Sequence, residues 1–246
     1  VVSFDGHLEG TPLEVWRSDG RRDALPVAAV LDGVRRVLVV AAHADDETLG
    51  CGGTIVLARR RGVPVDVVIV TDGAASHGEP SPAIAAERRR EARAALDRLG
   101  DGIGLGFLEV PDSATPEHRD RIADDVRRRA SGAPGTVLVL STWAGDGHRD
   151  HRVVGEVCAE VGALLGQPVL AAPIWLWHWA RPDDAAVPWA SLVRVEVDED
   201  GRSSRRAALG EYGSQTRQEP DGGPAVLHPL FVRHFLGDDH LIRVAG

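Results

Sequence analysis

The stretch VRRVLVVAAHADDETLGCGG (residues 34–53) decides the fold. Its first ten residues are apolar apart from Arg35, Arg36 and the closing His43, and four of them are β-branched valines. A strand buried on both faces reads this way, whereas a strand with one wet face alternates. The run passes into a charged turn, His43-Ala44-Asp45-Asp46-Glu47, and TIVLARRRG (54–62) then reads as a helix closed by Gly62. The same rhythm continues outward. VPVDVVIVTDG (63–73), GIGLGFLEVPD (102–112), TVLVLST (136–142) and PVLAAPIWLWHWA (168–180) read as strands two to five. The intervening stretches 82–100, 116–132 and 151–166 read as helices. Alternating apolar strands and amphipathic helices imply βαβ units and a parallel sheet.

Outside this frame the signal changes. Residues 1–33 suggest a short strand around Pro12–Trp16 or an arm lying on the domain. After Pro182, SLVRVEVD (191–198) alternates like an antiparallel edge strand, SSRRAALGEYGSQ (203–215) reads as helix, and 218–226 reads as a loop. A short helix (228–236) and a strand (240–244) follow. The expectation is a single domain over 1–246. It is α/β and Rossmann-like, with a mostly parallel sheet, helices on both faces, a core over 34–180 and a C-terminal α+β elaboration over 181–246.

Composition narrows the function. The 28 basic against 37 acidic residues give a net charge of −9, which offers no general attraction to nucleic acid or an anionic membrane. The chain has no Lys, Asn or Met. Without Lys, Schiff-base catalysis and a Walker A loop are excluded. Two cysteines, Cys51 and Cys158, are too few for a Cys-based zinc or iron–sulfur centre and suit a reducing, cytoplasmic setting. No apolar stretch is long enough to span a membrane.

Ligands of open parallel sheets bind beyond the carboxyl ends of the strands. Strand one ends in His43-Ala44-Asp45-Asp46-Glu47 and strand four in Asp146-Gly147-His148-Arg149-Asp150-His151, so two His/Asp clusters share one sheet edge. One carboxylate of the first cluster can join His43 on a metal while the other faces a substrate. A histidine of the second can complete a His/Asp/His set around zinc, leaving a position open for water. Asp45 or Asp46 could instead simply cap the following helix.

These residues resemble a known family. AAHADDETLGCGG (41–53) resembles the AHPDDE signature of the PIG-L/LmbE-like zinc-dependent de-N-acetylases, and GHRDH (147–151) resembles their HxDH signature. The resemblance extends over roughly 34–216, including ERRREARAALDRLG (87–100) and YGSQ (212–215). It implies one Zn2+ per chain, held by His43, Asp46 and His151, and removal of an acyl group, acetyl above all, from a small N-acyl sugar or glycoconjugate. By the same resemblance Asp45 is the general base for the zinc water. His148 assists the oxyanion and leaving group, Asp150 orients an imidazole, and Arg88 and Asp112 contact substrate. Three positions depart from the pattern. Ala44 and Arg149 stand where the motifs carry Pro, and Asp146 stands where some sugar deacetylases carry Tyr.

Two rivals share these residues, a metal-dependent hydratase and an inactive ligand-binding member. GCGG (50–53) also hints at a dinucleotide loop, but the GxGxxG spacing is absent. Arg89, Arg90 and Arg93 read as a solvated helix face. Trp175, Trp177 and Trp179 read as one face of strand five packed under the C-terminal helices. Cys51 reads as a small buried hydrophobe, and His77, His118, His228, His234 and His240 as ordinary. His240 with Asp238 and Asp239 could reach the pocket if the last strand folds back.

Overall fold

The computed structural model describes residues 4–75, 79–131, 135–218 and 223–244. His77, the end of the predicted helix at Gly132 and positions 219–222 of the predicted loop lie outside the described residues. The elements are, in order, α1 (Leu13–Asp19), β1 (Val34–Ala41), α2 (Asp46–Arg60), β2 (Val65–Thr71), α3 (Pro82–Leu99), β3 (Gly104–Val110), α4 (Arg119–Ser131), β4 (Thr136–Thr142), α5 (Arg149–Leu165), β5 (Val169–Ala172), α6 (Leu176–Trp179), β6 (Leu192–Val195), α7 (Glu199–Glu211), α8 (Gly213–Thr216), α9 (Pro229–Val232) and β7 (Asp239–Arg243).

Seven strands form one sheet in the order β3-β2-β1-β4-β5-β7-β6. The first five are parallel neighbours, and β7 pairs antiparallel with β5 and β6. The fold is therefore α/β with a mostly parallel sheet. The parity of β1 shows why its sequence is apolar throughout. Val37, Val39 and Ala41 pack with Ile55, Ala92 and Leu96 of α2 and α3. Leu38 and Val40 pack on the opposite face with Ile122, Val126, Val153 and Val157 of α4 and α5. Successive side chains of a strand point to opposite faces, so two covered faces demand an unbroken apolar run. A third cluster, with Trp16, Trp177, Phe231 and Phe235, joins the N-terminal segment to the C-terminal elaboration.

Three expectations are corrected. Pro12–Trp16 is not a strand. Pro12 precedes α1, whose Leu13 and Trp16 turn inward three residues apart as a helical period requires. The helix expected at 54–62 starts earlier, at Asp46, and runs through the three glycines of GCGG. A Cβ at Gly53 would press on Val197 and on the Asp239 carboxylate, so the glycines admit close neighbours rather than a turn. The fifth strand stops at Ala172, because Pro173 has no N–H for the ladder and the next residues turn into α6. The three tryptophans therefore do not alternate along a strand. Trp177 is buried, while Trp175 and Trp179 are half-buried.

Candidate metal centre and active site

The site forms where the chain leaves two adjacent parallel strands. Val40 of β1 pairs opposite Ser141 of β4. The chain continues from β1 into α2 on one face and from β4 into α5 on the other. This is the switch point of the sheet, where the two connections diverge and leave a crevice. A cavity of about 250 Å³ opens there, lined among others by His43, Asp45, Asp46, Arg88, Asp112, His148 and Asp150.

Three side chains converge on one point. Asp46 Oδ2 lies 3.4 Å from His43 Nδ1 and 3.3 Å from His151 Nε2. Ligand arms of about 2.0–2.1 Å at tetrahedral angles put donor atoms roughly 3.3–3.4 Å apart. The remaining ring nitrogens already have partners. His43 Nε2 donates to Asp150 Oδ2 at 3.2 Å, and His151 Nδ1 donates to Asp146 Oδ2 at 2.8 Å. Carboxylates of this kind orient metal-binding imidazoles. His151 Nε2 is buried without a hydrogen-bond partner, since its approach to Asp46 is close but not aligned. A buried orphan nitrogen facing a carboxylate and a second imidazole fits a divalent cation. His148 also brings a nitrogen within 4.8 Å of those of His43 and His151. Its Nδ1, however, accepts the Asp150 N–H at 3.2 Å and caps α5.

The protonation of these groups follows from burial and charge. Burial opposes the charged form of His43, but bonds to Asp150 and Asp46 overcome it and lift the imidazole to about 10. His151 rises to about 9 against the same burial, through Asp46 and Asp146. Burial also works against ionised Asp46, yet His151 and His43 hold its carboxyl well below the usual range. His148 falls to about 3 through burial and the neighbouring His43 and His151. Asp45 rises to about 7, driven by burial and the acids Asp46 and Glu47, and opposed by Arg88.

Asp45 sits in strained backbone, with φ 128°. Such a conformation costs on the order of 1–3 kcal/mol and persists only where surroundings enforce it. Two contacts do so. Asp45 N–H donates to Glu47 Oε2 at 3.1 Å, and Arg88 Nη2 donates to Ala44 O while lying 3.5 Å from Asp45 Oδ2. Gly73, at φ +68°, lets Arg88 reach this position, since a Cβ there would lie 2.6 Å from Arg88 Cδ.

Seven of the eight residues expected at the site line this cavity, and the eighth, His151, is buried behind it. Their local roles are uneven. Asp112 accepts the N–H groups of Gly73 and Ala75 at 3.2 and 2.8 Å, so it shapes the turn after β2. Arg149 and Arg90 are exposed. The last strand does not bring His240 or Asp239 to the cavity. Asp239 pairs with Arg205 beneath α2, and His240 packs edge-on to Trp177. Cys51 is buried, and burial raises its thiol well above the usual value. Sequence reasoning gave no role at the site to Glu47, Tyr212 or Gln215, read Trp175 as packing, and missed the wall that Leu49, Ile174, Val226 and Leu227 form with it. Trp175 packs against other aromatic rings, with Phe4 and Phe231 stacked on it at centroid distances of 4.7 and 4.9 Å.

The sequence profile of the GlcNAc-PI de-N-acetylases, PIG-L, matches residues 38–161, which include both His/Asp clusters. A 1D-myo-inositol 2-acetamido-2-deoxy-alpha-D-glucopyranoside deacetylase of Kineococcus radiotolerans is 31% identical, over 81% of this chain and 62% of its own length. A diacetylchitobiose deacetylase of Thermococcus kodakarensis is 32% identical, over 55% of this chain and 52% of its own length. The chain thus spans less than two thirds of either relative. A teicoplanin deacetylase, solved in a zinc-inhibited form, shares the fold with a TM-score of 0.63 at 18% identity. That match covers 85% of this chain and 98% of that one.

Proposed function

Because the chain belongs to the PIG-L family of de-N-acetylases, we propose that it is a zinc-dependent hydrolase removing an acetyl group from the amide nitrogen of a small sugar-containing molecule. The core and the C-terminal elaboration act in this reading as one domain. The observation that carries it is the pair of 3.3 and 3.4 Å separations around Asp46 Oδ2, with Asp45 beside them in the cavity. His43, Asp46 and His151 would hold the ion. When bound, a divalent ion polarises a carbonyl and lowers the pKa of water.

The protein's own residues supply the rest. Asp45 takes the proton of the attacking water as its oxygen bonds to the acyl carbon. His148 accepts the Asp150 N–H at Nδ1, so its hydrogen sits on Nε2. Held neutral, it serves best as a hydrogen-bond donor to the oxygen on which negative charge grows. The proton collected by Asp45 then passes to the leaving nitrogen. The C–N bond breaks, giving a carboxylic acid and an amine, which leave as carboxylate and ammonium once the acid's proton passes to the amine. Arg88 keeps Asp45 in place and opposes the rise of its pKa.

The test is release of amine from N-acetylglucosamine-type compounds by the zinc-loaded protein, beside Asp45→Asn and Asp46→Ala variants. The expected result is amine release by the wild type, loss of turnover with zinc retained in the first variant, and loss of zinc in the second. Consumption of an unsaturated acid without amine would favour the hydratase. Zinc binding with no turnover of any N-acyl sugar would favour a binding protein.

A further inference from the structure

Asp146 opens the second His/Asp cluster, and the tertiary structure makes it a hub. It lies in the connection from β4 to α5 and is fully buried. Its carboxylate accepts four donors: His151 Nδ1 at 2.8 Å, Ile174 N–H at 3.0 Å, Trp175 N–H at 2.9 Å and Leu176 N–H at 2.8 Å. A carboxylate has about four lone-pair sites, so all are engaged. Its backbone is held too, by Trp179 Nε1 donating to Asp146 O at 2.9 Å.

Two consequences meet in this one side chain. An ionised carboxylate only accepts, so the hydrogen facing it belongs to His151 Nδ1, and Nε2 is the nitrogen turned toward Asp46 and His43. The same carboxylate collects the N–H groups that Pro173 releases from the sheet, and so makes the turn that starts α6. Ile174 and Trp175 of that turn line the cavity. We propose that Asp146 is a positioning residue that sets the metal-binding nitrogen of His151 and the substrate wall at Ile174–Trp175 together. This rests on the metal centre proposed above.

Asn at this position separates positioning from simple packing. Its single carbonyl oxygen cannot serve three backbone N–H groups and His151 as well. With the oxygen kept on the turn, its NH2 faces His151 Nδ1 and favours the tautomer carrying hydrogen on Nε2, the nitrogen a metal needs bare. A residue that only packed would change stability and leave zinc affinity and the bound nitrogen alone.

The experiment combines zinc titration against a competing chromophoric chelator with 15N-histidine spectra of zinc-loaded protein, for wild type and Asp146→Asn. The expected wild-type spectrum has His151 protonated at Nδ1 and zinc-bound through Nε2. The variant is expected to bind zinc about 10–100-fold more weakly, as for other carboxylates behind metal-bound histidines. A raised KM in the residual activity would report the shifted wall. Zinc affinity unchanged in Asp146→Asn would overturn the proposal, and so would zinc bound through Nδ1 of wild-type His151. The second measurement stands even if the variant does not fold. Failure of the wild type to bind zinc would overturn the metal centre itself, and this inference with it. Zinc binding without amine release would remove the hydrolase reading and leave this inference standing.

Discussion

Replacing Tyr212 by Phe tests how the candidate base is held. Tyr212 is fully buried, and its hydroxyl donates to Glu47 Oε1. The other oxygen of Glu47 accepts the Asp45 N–H. The chain of contacts therefore runs from the end of α7 to the strained φ 128° of Asp45. Phe keeps the ring and removes only the donor, so no cavity term enters. A hydrogen bond to a charged group contributes about 1.5–3 kcal/mol, which gives a loss of about 2 kcal/mol. For a chain of this size that is roughly 4–8 °C in midpoint. The loss carries a pH signature. Burial pushes the Glu47 carboxyl up, and the bonds from Thr48 and Tyr212 pull against it. Removing one of them raises it further. A carboxyl raised in the folded state contributes most stability while protonated and loses it as pH rises. The deficit of Tyr212→Phe should therefore be larger at alkaline than at acidic pH, as read by urea denaturation at both. In turnover assays kcat should fall about tenfold with KM nearly unchanged, since a small displacement of a reacting group acts on the chemical step. A variant as stable as wild type at both pH values, with unchanged kcat, would refute the argument.

Metal binding should release protons, because His43 and His151 stand at about 10 and 9 in the metal-free protein. Apparent zinc affinity should rise with pH between about 7 and 9, and calorimetry in buffers of different ionisation enthalpy should count the protons. A pH-independent affinity would contradict the raised values. Asp239→Asn should be severely destabilising. It unpairs fully buried Arg205 and disturbs the N–H and hydroxyl of Thr54, both held at 2.6 Å. Breaking such a pair costs about 3–5 kcal/mol, visible in a thermal melt. Acid should weaken the fold through His234, which burial and Arg22 push down to about 3. Its neutral form is stabilised by folding, so this contribution is complete above about 6.5 and is lost as pH falls toward 3. Between about pH 6.5 and 5 it amounts to roughly 2 kcal/mol, and His234→Gln should lose less stability over that interval.

The sequence by itself determined the α/β class, the parallel character of the sheet, and the meeting of the two His/Asp clusters at one sheet edge. These follow from short-range rules. A strand covered on both faces must be apolar at every position, and strand ends of a parallel sheet carry the ligand. Tertiary structure decided which groups serve which neighbours. Asp150 was expected to orient an imidazole, but no spacing shows that it serves His43 while Asp146 serves His151. The turn at Ile174–Trp175 was illegible because the carboxylate that makes it lies 28 residues earlier. The Pro at 173 was its one local sign. Glu47 looked like part of a charged turn until Tyr212, 165 residues away, was found bonded to it. Buried polar groups must find partners wherever the fold brings them, and those partners are set by packing in space, which hydrophobic periodicity does not encode.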